Sequence, residues 1–388
     1  MTRLNLLSCL LVGASVPVLA AQATPIEFKS DLEAATIVSA IDHDGLLTQD
    51  ESLLYEVALD NRIETFLDNG LKISGRLTLR GQRDHPARPG FSGQFGTSVS
   101  APAGAYSAVS STEPGDETGA RGSLEAAYLE FDGGYGELRL GRDRGVAARF
   151  HEGAPSALTF TGVSNVYLDP TGLSLARTNH DLTGPSAKLS YATPRILGLR
   201  AGISFTPDAN AKGLDRNLSA FSDQPDIENA VELAANLSRT LRSANTSIEA
   251  SLAWSTASVD SPFAGVRGDV STFSAGTNIE FPAFTIGGSW LSSDNGFKGA
   301  DYEAWDIGVS KEIRGTDVSI GYSEADDALA GLSSEAFSIS AARNITDDLT
   351  LGLSYQDQKL RSPAGKNSGS GIVVEITLRS DFLEMSAN

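Results

Sequence analysis

From Tyr55 to Arg80 the chain changes character at every second residue. Tyr55, Val57, Leu59, Ile63, Thr65 and Leu67 share one parity; Glu56, Asp60, Arg62, Glu64 and Asp68 fall on or near the other. After Asp68-Asn69-Gly70, the pattern resumes with Leu71, Ile73, Leu77 and Leu79 against Lys72, Ser74, Arg76, Thr78 and Arg80. A period of two is that of an extended strand, and Asn-Gly is a strong hairpin signal. The segment is a two-stranded ribbon with one apolar and one charged face.

Roughly sixteen segments follow this rule. Ile26, Phe28, Leu32, Ala34 and Val38 against Glu27, Lys29, Asp31 and Glu33 predict a strand over 26–38, and further strands are expected over 123–131 and 137–142. Two more fall at 186–192 and 199–205. Pairs follow near 228–239, 246–256, 270–281 and 284–292, then 302–313, 317–324, 334–345 and 349–357, with the last strand over 372–382. Tight connections at Asp68-Asn69-Gly70, Phe281-Pro282-Ala283, Arg314-Gly315-Thr316 and Thr346-Asp347-Asp348 alternate with long polar ones, including 84–121, 207–227 and 358–370.

Composition decides what these ribbons enclose. The 388 residues include 39 Gly and only 2 Met, and mean hydropathy is slightly negative, which is poor material for a large dry core. A water-filled barrel needs none, because its apolar surface is an outer band and its lumen carries charge. The amino terminus fits export: Arg3, an apolar run from Leu4 to Val18 broken by Pro17, and Val18-Leu19-Ala20 before Ala21 predict a signal peptide over 1–20. The only cysteine, Cys9, lies in that run, so the mature chain is expected to have no thiol or disulfide. No later stretch is long and apolar enough for a membrane helix. The expectation is an all-β, transmembrane, antiparallel up-and-down β-barrel of about sixteen strands in a Gram-negative outer membrane, occupying 21–382 with a short tail over 383–388. An even count puts both termini in the periplasm, making 39–51 external and Asp68-Asn69-Gly70 periplasmic. The net charge of −19 argues against nucleic acid as a partner, because phosphates call for a basic footprint.

The run Ala127-Tyr128-Leu129-Glu130-Phe131-Asp132-Gly133-Gly134-Tyr135-Gly136-Glu137-Leu138-Arg139-Leu140-Gly141-Arg142 resembles the "F-G-x-[LV]-x-[LV]-G-R" hairpin after which general diffusion porins launch their constriction loop. Gly198-Leu199-Arg200-Ala201-Gly202-Ile203-Ser204-Phe205-Thr206-Pro207 is similar to the strand that follows that loop. The order of these motifs looks closest to alphaproteobacterial porins. Such porins usually end on a phenylalanine, whereas here Phe382 is followed by Leu383 to Asn388.

The resemblance implies that a third loop, 143–185, folds into the barrel and narrows it, bringing Glu152, Asp169 and Asp181 opposite Arg62, Arg76, Arg80 and Arg139, which alternation points into the lumen. Opposed charges across a narrow channel would give a transverse field that favours small polar solutes. The plainer alternative is that these arginines pair with nearby Glu64 and Asp60. A homotrimer is implied by the resemblance alone. Outer-membrane lipid and lipopolysaccharide are the expected surroundings.

Other constellations are weaker. Asp42-His43-Asp44-Gly45 with Leu47 and Glu51 resembles a calcium loop, but Ala40 occupies its first ligand position and the flanks read as strands. His43, His85, His151 and His180 fall in expected loops without metal-ligand spacing, so no metal or cofactor is expected. Tyr55, Phe66, Trp254, Trp290, Tyr322, Tyr355 and Phe382 suit the aromatic girdles of a membrane barrel. The reading is a channel for passive diffusion of small hydrophilic solutes and ions, not an enzyme. A porin selective for sugar, phosphate or organic acid is the nearest alternative. An outer-membrane hydrolase would need a nucleophile with a histidine partner, and none is identifiable.

Overall fold

The computed structural model describes residues 25–45, 51–90, 100–111, 120–216 and 224–387. They form β1 (Ile26–Asp44), β2 (Leu53–Phe66), β3 (Lys72–Arg83), β4 (Arg121–Gly133), β5 (Gly136–Arg142), β6 (Ala187–Ala192), β7 (Leu199–Asp208) and β8 (Asp226–Leu241). The second half comprises β9 (Thr246–Asp260), β10 (Asp269–Glu280), β11 (Thr285–Ser293), β12 (Tyr302–Glu312), β13 (Asp317–Asp327), β14 (Leu332–Asn344), β15 (Leu349–Ser362) and β16 (Gly365–Ala387). Each strand pairs antiparallel with its sequence neighbours, and β1 closes on β16, giving a barrel without a free edge. A short helix, α1 (Val146–Arg149), begins the third long connection.

The period of two becomes the two faces of this sheet. Val57, Ile63, Leu129, Leu252, Ile320 and Leu353 are exposed on the outer face, whereas Glu56 and Asp60 are buried on the inner one. The β2–β3 turn closes with Gly70 at φ +80°, a conformation costly to residues bearing a Cβ, and the Asn69 side chain accepts the Leu71 N–H at 3.0 Å. At the same end of the barrel, Phe281 and Phe284 pack with ring centroids 5.0 Å apart.

Four expectations about individual segments need correction. Residues 358–370 are not a long external loop, because β15 and β16 continue through them and turn only at 363–364. Above the bilayer a strand no longer needs an apolar face, so polar sequence extends it without penalty. For the same reason β1 runs past residue 38, and Asp42, His43 and Asp44 pair with Ser370, Gly369 and Ser368. The first half of the expected calcium loop is therefore strand, with 46–50 outside the described residues, and His43 is a strand residue. The expected tail is strand too: Leu383–Ala387 pair with Ser30–Ile26, leaving Phe382 as the extra residue of a bulge between Ser30 and Asp31. Finally, the lumen does hold a core. Residues of 84–90, 100–111, the third loop and 209–216 enter the half of the barrel away from the β2–β3 turn, where Tyr106, Val109, Leu173, Leu175 and Leu182 pack against inward-facing Ile227, Val270, Leu291, Tyr302 and Leu360. Each such burial contributes about 1.5–3 kcal/mol. A mean over the whole chain conceals it, because the apolar residues are few and concentrated at one level.

Candidate functional site: the constriction

The third loop crosses the barrel interior on a wall built to receive backbone. Val146, Ala147 and Phe150 seat α1 against Ala192, Ala234 and Ala253, and the Val146 N–H donates to Ser204 Oγ at 2.9 Å. The chain then runs past β9 to β16. The N–H of Glu152 donates to Ser251 Oγ at 3.0 Å, that of Ala154 to Asp306 Oδ1 at 3.2 Å, and that of Ala157 to Ser319 Oγ at 2.9 Å. The N–H groups of Thr159, Phe160 and Thr161 converge on the Glu375 carboxylate at 2.9, 3.2 and 3.1 Å. Buried backbone must be paired, and here wall side chains do the pairing. The wall also lacks bulk where the loop lies: a Cβ on Gly276 would meet the Glu152 carbonyl oxygen at 1.9 Å, and one on Gly352 would meet Leu158 at 2.3 Å.

The loop returns through a clasp in which Asn165 Oδ1 accepts the N–H groups of Thr178 and Asn179, both at 2.8 Å. Asp169 is fully buried and accepts the N–H groups of Thr171, Gly172 and Ser174 at 3.1, 3.0 and 2.7 Å. Asp181 is buried against Arg216, 2.9 Å away. Burial alone would raise its pKa, but Arg216, Arg144, Lys188 and Lys212 hold it at about 2. Of the three loop carboxylates expected to face the arginines, only Glu152 is partly open. Its Oε1 accepts from Asn236 at 3.1 Å, and burial with nearby Glu249 pushes its pKa up. Asp169 and Asp181 instead hold the loop's shape.

The four arginines all lie on inner-face positions of β2, β3 and β5, and each has a carboxylate on its own wall. Arg62 and Arg76 share Asp60, with Nε distances of 2.6 and 2.7 Å. Arg80 pairs with Glu56 and stacks over the Tyr167 ring of the third loop at 4.9 Å. Arg139 is held by Glu130 at 2.6 Å and by Glu137 and Asp143 at 2.8 Å, and Glu137 also binds Arg149 and Arg200. Glu56, Glu130, Glu137, Tyr167 and Glu375 are the residues that sequence reading did not single out. All but Tyr167 were legible as inward parity on their strands. A cavity of about 320 Å³ opens along this wall, lined by Asp31, Asp60, Arg62, Arg76, Arg80 and Arg379 among others. Another of about 660 Å³ lies beneath Ser156 and Ala157, at the end of the barrel that carries the β10–β11 turn.

Residues 8–362 match the Gram-negative porin family. The chain belongs to that family. No curated protein matches the sequence, but solved porins share the fold over 92% of the chain. The anion-selective porin of Comamonas acidovorans is 14% identical with a TM-score of 0.55 and 99% of its own length covered. OmpF of Salmonella typhi, solved with daunomycin, is 10% identical, with a TM-score of 0.57 and 98% covered. OmpT of Vibrio cholerae in its trimer form is 9% identical, with a TM-score of 0.56 and 100% covered. This porin is an outer-membrane channel for passive diffusion, and its family and fold are those of a channel rather than an enzyme.

Proposed function

We propose that small hydrophilic solutes and ions cross this porin along the wall of β1 to β5, with the third loop as the constriction. The observation that carries this is the loop's course: its peptide groups are bonded to β9, β12, β13 and β16, while the opposite wall keeps half-exposed arginines beside open space. Arg62, Arg76, Arg80, Arg139 and Glu152 are the pore-lining set; Asp169 and Asp181 act through the loop's shape. Because each arginine is already paired, selectivity among ions is weak, with the acidic chain favouring cations at low salt. The core in the external half favours a narrower, more selective channel than an open lumen would give.

The protein reaches the outer membrane through cleavage after Ala20 and assembles there as a homotrimer among lipid and lipopolysaccharide, a state supported by the trimer form of OmpT from Vibrio cholerae. The test is planar-bilayer recording of the wild type and of a deletion of Glu152–Thr178. Large ohmic steps that grow several-fold on deletion are expected. Unchanged step size would place the constriction elsewhere.

A further inference from the structure

The register of β16, β1, β2 and β3 stacks charged residues on the inner face in three rows. Lys29, Arg62 and Arg76 lie opposite one another across β1, β2 and β3. Two residues further along β1, Asp381, Asp31 and Asp60 form an acidic row across β16, β1 and β2. Beyond it come Arg379, Glu33 and, past Ala58, Arg80. Successive rows are about 7 Å apart, the rise of two strand residues. The cavity of about 320 Å³ lies on these rows.

We propose that this wall is a binding subsite for small zwitterions, solutes carrying an ammonium and a carboxylate a few atoms apart. The inference rests on solutes passing along this wall, as argued above. Side chains of like charge directly opposite one another repel, and the acidic row is incompletely relieved. Asp60 has Arg62, Arg76 and the Thr78 hydroxyl. Among the described residues, Asp31 has only Arg62, at 3.6 Å, and Asp381 has no ion pair. An ammonium group beside Asp31 and Asp381 supplies the missing cation. The guanidinium groups on either side remain accessible: the side chains of Arg62, Arg76 and Arg379 are 49%, 39% and 61% exposed. A solute carboxylate meets Arg379, the most exposed of the three and two residues from Asp381 on β16, while its ammonium stays on the acidic row. A simple anion meets that row unfavourably, and a simple cation meets the flanking arginines, so the wall favours a molecule with both poles.

The test uses the full-length protein in liposomes, comparing osmotic swelling with glycine against its neutral isostere glycolamide, with acetate and methylammonium as single-pole controls. Glycine is expected to enter about threefold faster than glycolamide, the scale of one exposed ion pair. That advantage should vanish in Asp31→Asn/Asp381→Asn and, independently, in Arg379→Gln. Folding of each variant is checked by resistance to dodecyl sulfate before heating, and Arg379→Gln serves alone should the double variant not fold. Equal entry of glycine and glycolamide in the wild type, or an advantage that survives these substitutions, overturns the subsite. Absence of both glycolamide entry and conductance steps would instead defeat the channel reading on which it rests.

Discussion

The two inner walls of this barrel are made of different residues because they face different things. On β2 to β5 the inward positions are long and charged: Glu56, Asp60, Arg62, Arg76, Arg80, Glu130, Glu137 and Arg139. On β9 to β15 the inward positions at the level of the third loop are mostly small: Ser251, Ala253 and Ser255, then Ser274 and Gly276, Gly308, Ser319 and Gly321, Ser338 and Ser340, Gly352 and Ser354. Around Asp60, Arg62 and Arg76 the first wall meets open space, where charge stays hydrated, whereas Glu56 is buried and Arg80 lies against Tyr167 of the third loop. The second meets the third loop, where only small side chains allow backbone to approach and hydroxyls satisfy its N–H groups. Inward residue size therefore maps where a channel is filled and where it is free.

The strongest way to break this contrast is to give the small wall bulk. Gly276→Leu should push against the Glu152 carbonyl and displace the loop, costing about 1–3 kcal/mol as overpacking does, while Ser74→Leu on the free wall should cost much less. Thermal unfolding followed by gel mobility compares them; equal losses would mean that the loop does not rest on β10.

Acid should loosen the same contact. His180 lies fully buried between Ser255 and Ser274, its ring nitrogens 2.6 and 2.9 Å from their hydroxyls. Burial, with His151 nearby, pushes its pKa down to about 3. An unfolded histidine titrates near 6.5, so the folded site is neutral while the unfolded one gains a proton. The loop's packing is then complete above pH ~6.5 and weakens by up to about 1.4 kcal/mol per pH unit as pH falls toward 3. Current noise should rise over that range, and His180→Gln should flatten the rise. Identical acid profiles in both proteins would remove His180 from the account.

A smaller effect is expected on the charged wall. Arg62→Gln/Arg76→Gln should shift reversal potentials in a salt gradient toward cations, with stability changed by only about 0–1 kcal/mol per pair. A shift toward anions would show that these arginines do not face the conducting path.

The strands were legible because lipid on one side and charge on the other impose a period of two, and Arg62, Arg76, Arg80 and Arg139 were legible for the same reason. That constraint lapses above the membrane. Gln358 to Ser370 thus reads as a loop but continues β15 and β16, with Gly371 so close to β1 that a Cβ would meet the Ala40 carbonyl oxygen at 2.0 Å. Loop carboxylates have no periodicity to assign them a direction, so Asp169 and Asp181 looked like Glu152 although they are buried. The signal that locates the loop was present in its partners. Ser, Ala and Gly recur on the inner parity of β9 to β15, whereas a bare total of glycines suggested only the lack of a core.

The two walls can be compared in one recording because Cys9 is the only cysteine in the sequence and lies before the expected cleavage site. In Arg76→Cys the thiol would face the free wall, and in Ser274→Cys it would sit beneath the third loop. Exposure to a membrane-impermeant, positively charged thiosulfonate during single-channel recording should cut the current through Arg76→Cys in discrete steps and leave Ser274→Cys unaltered. Block of Ser274→Cys with Arg76→Cys untouched would contradict the account, because it would put the conducting path on the wall assigned to the loop.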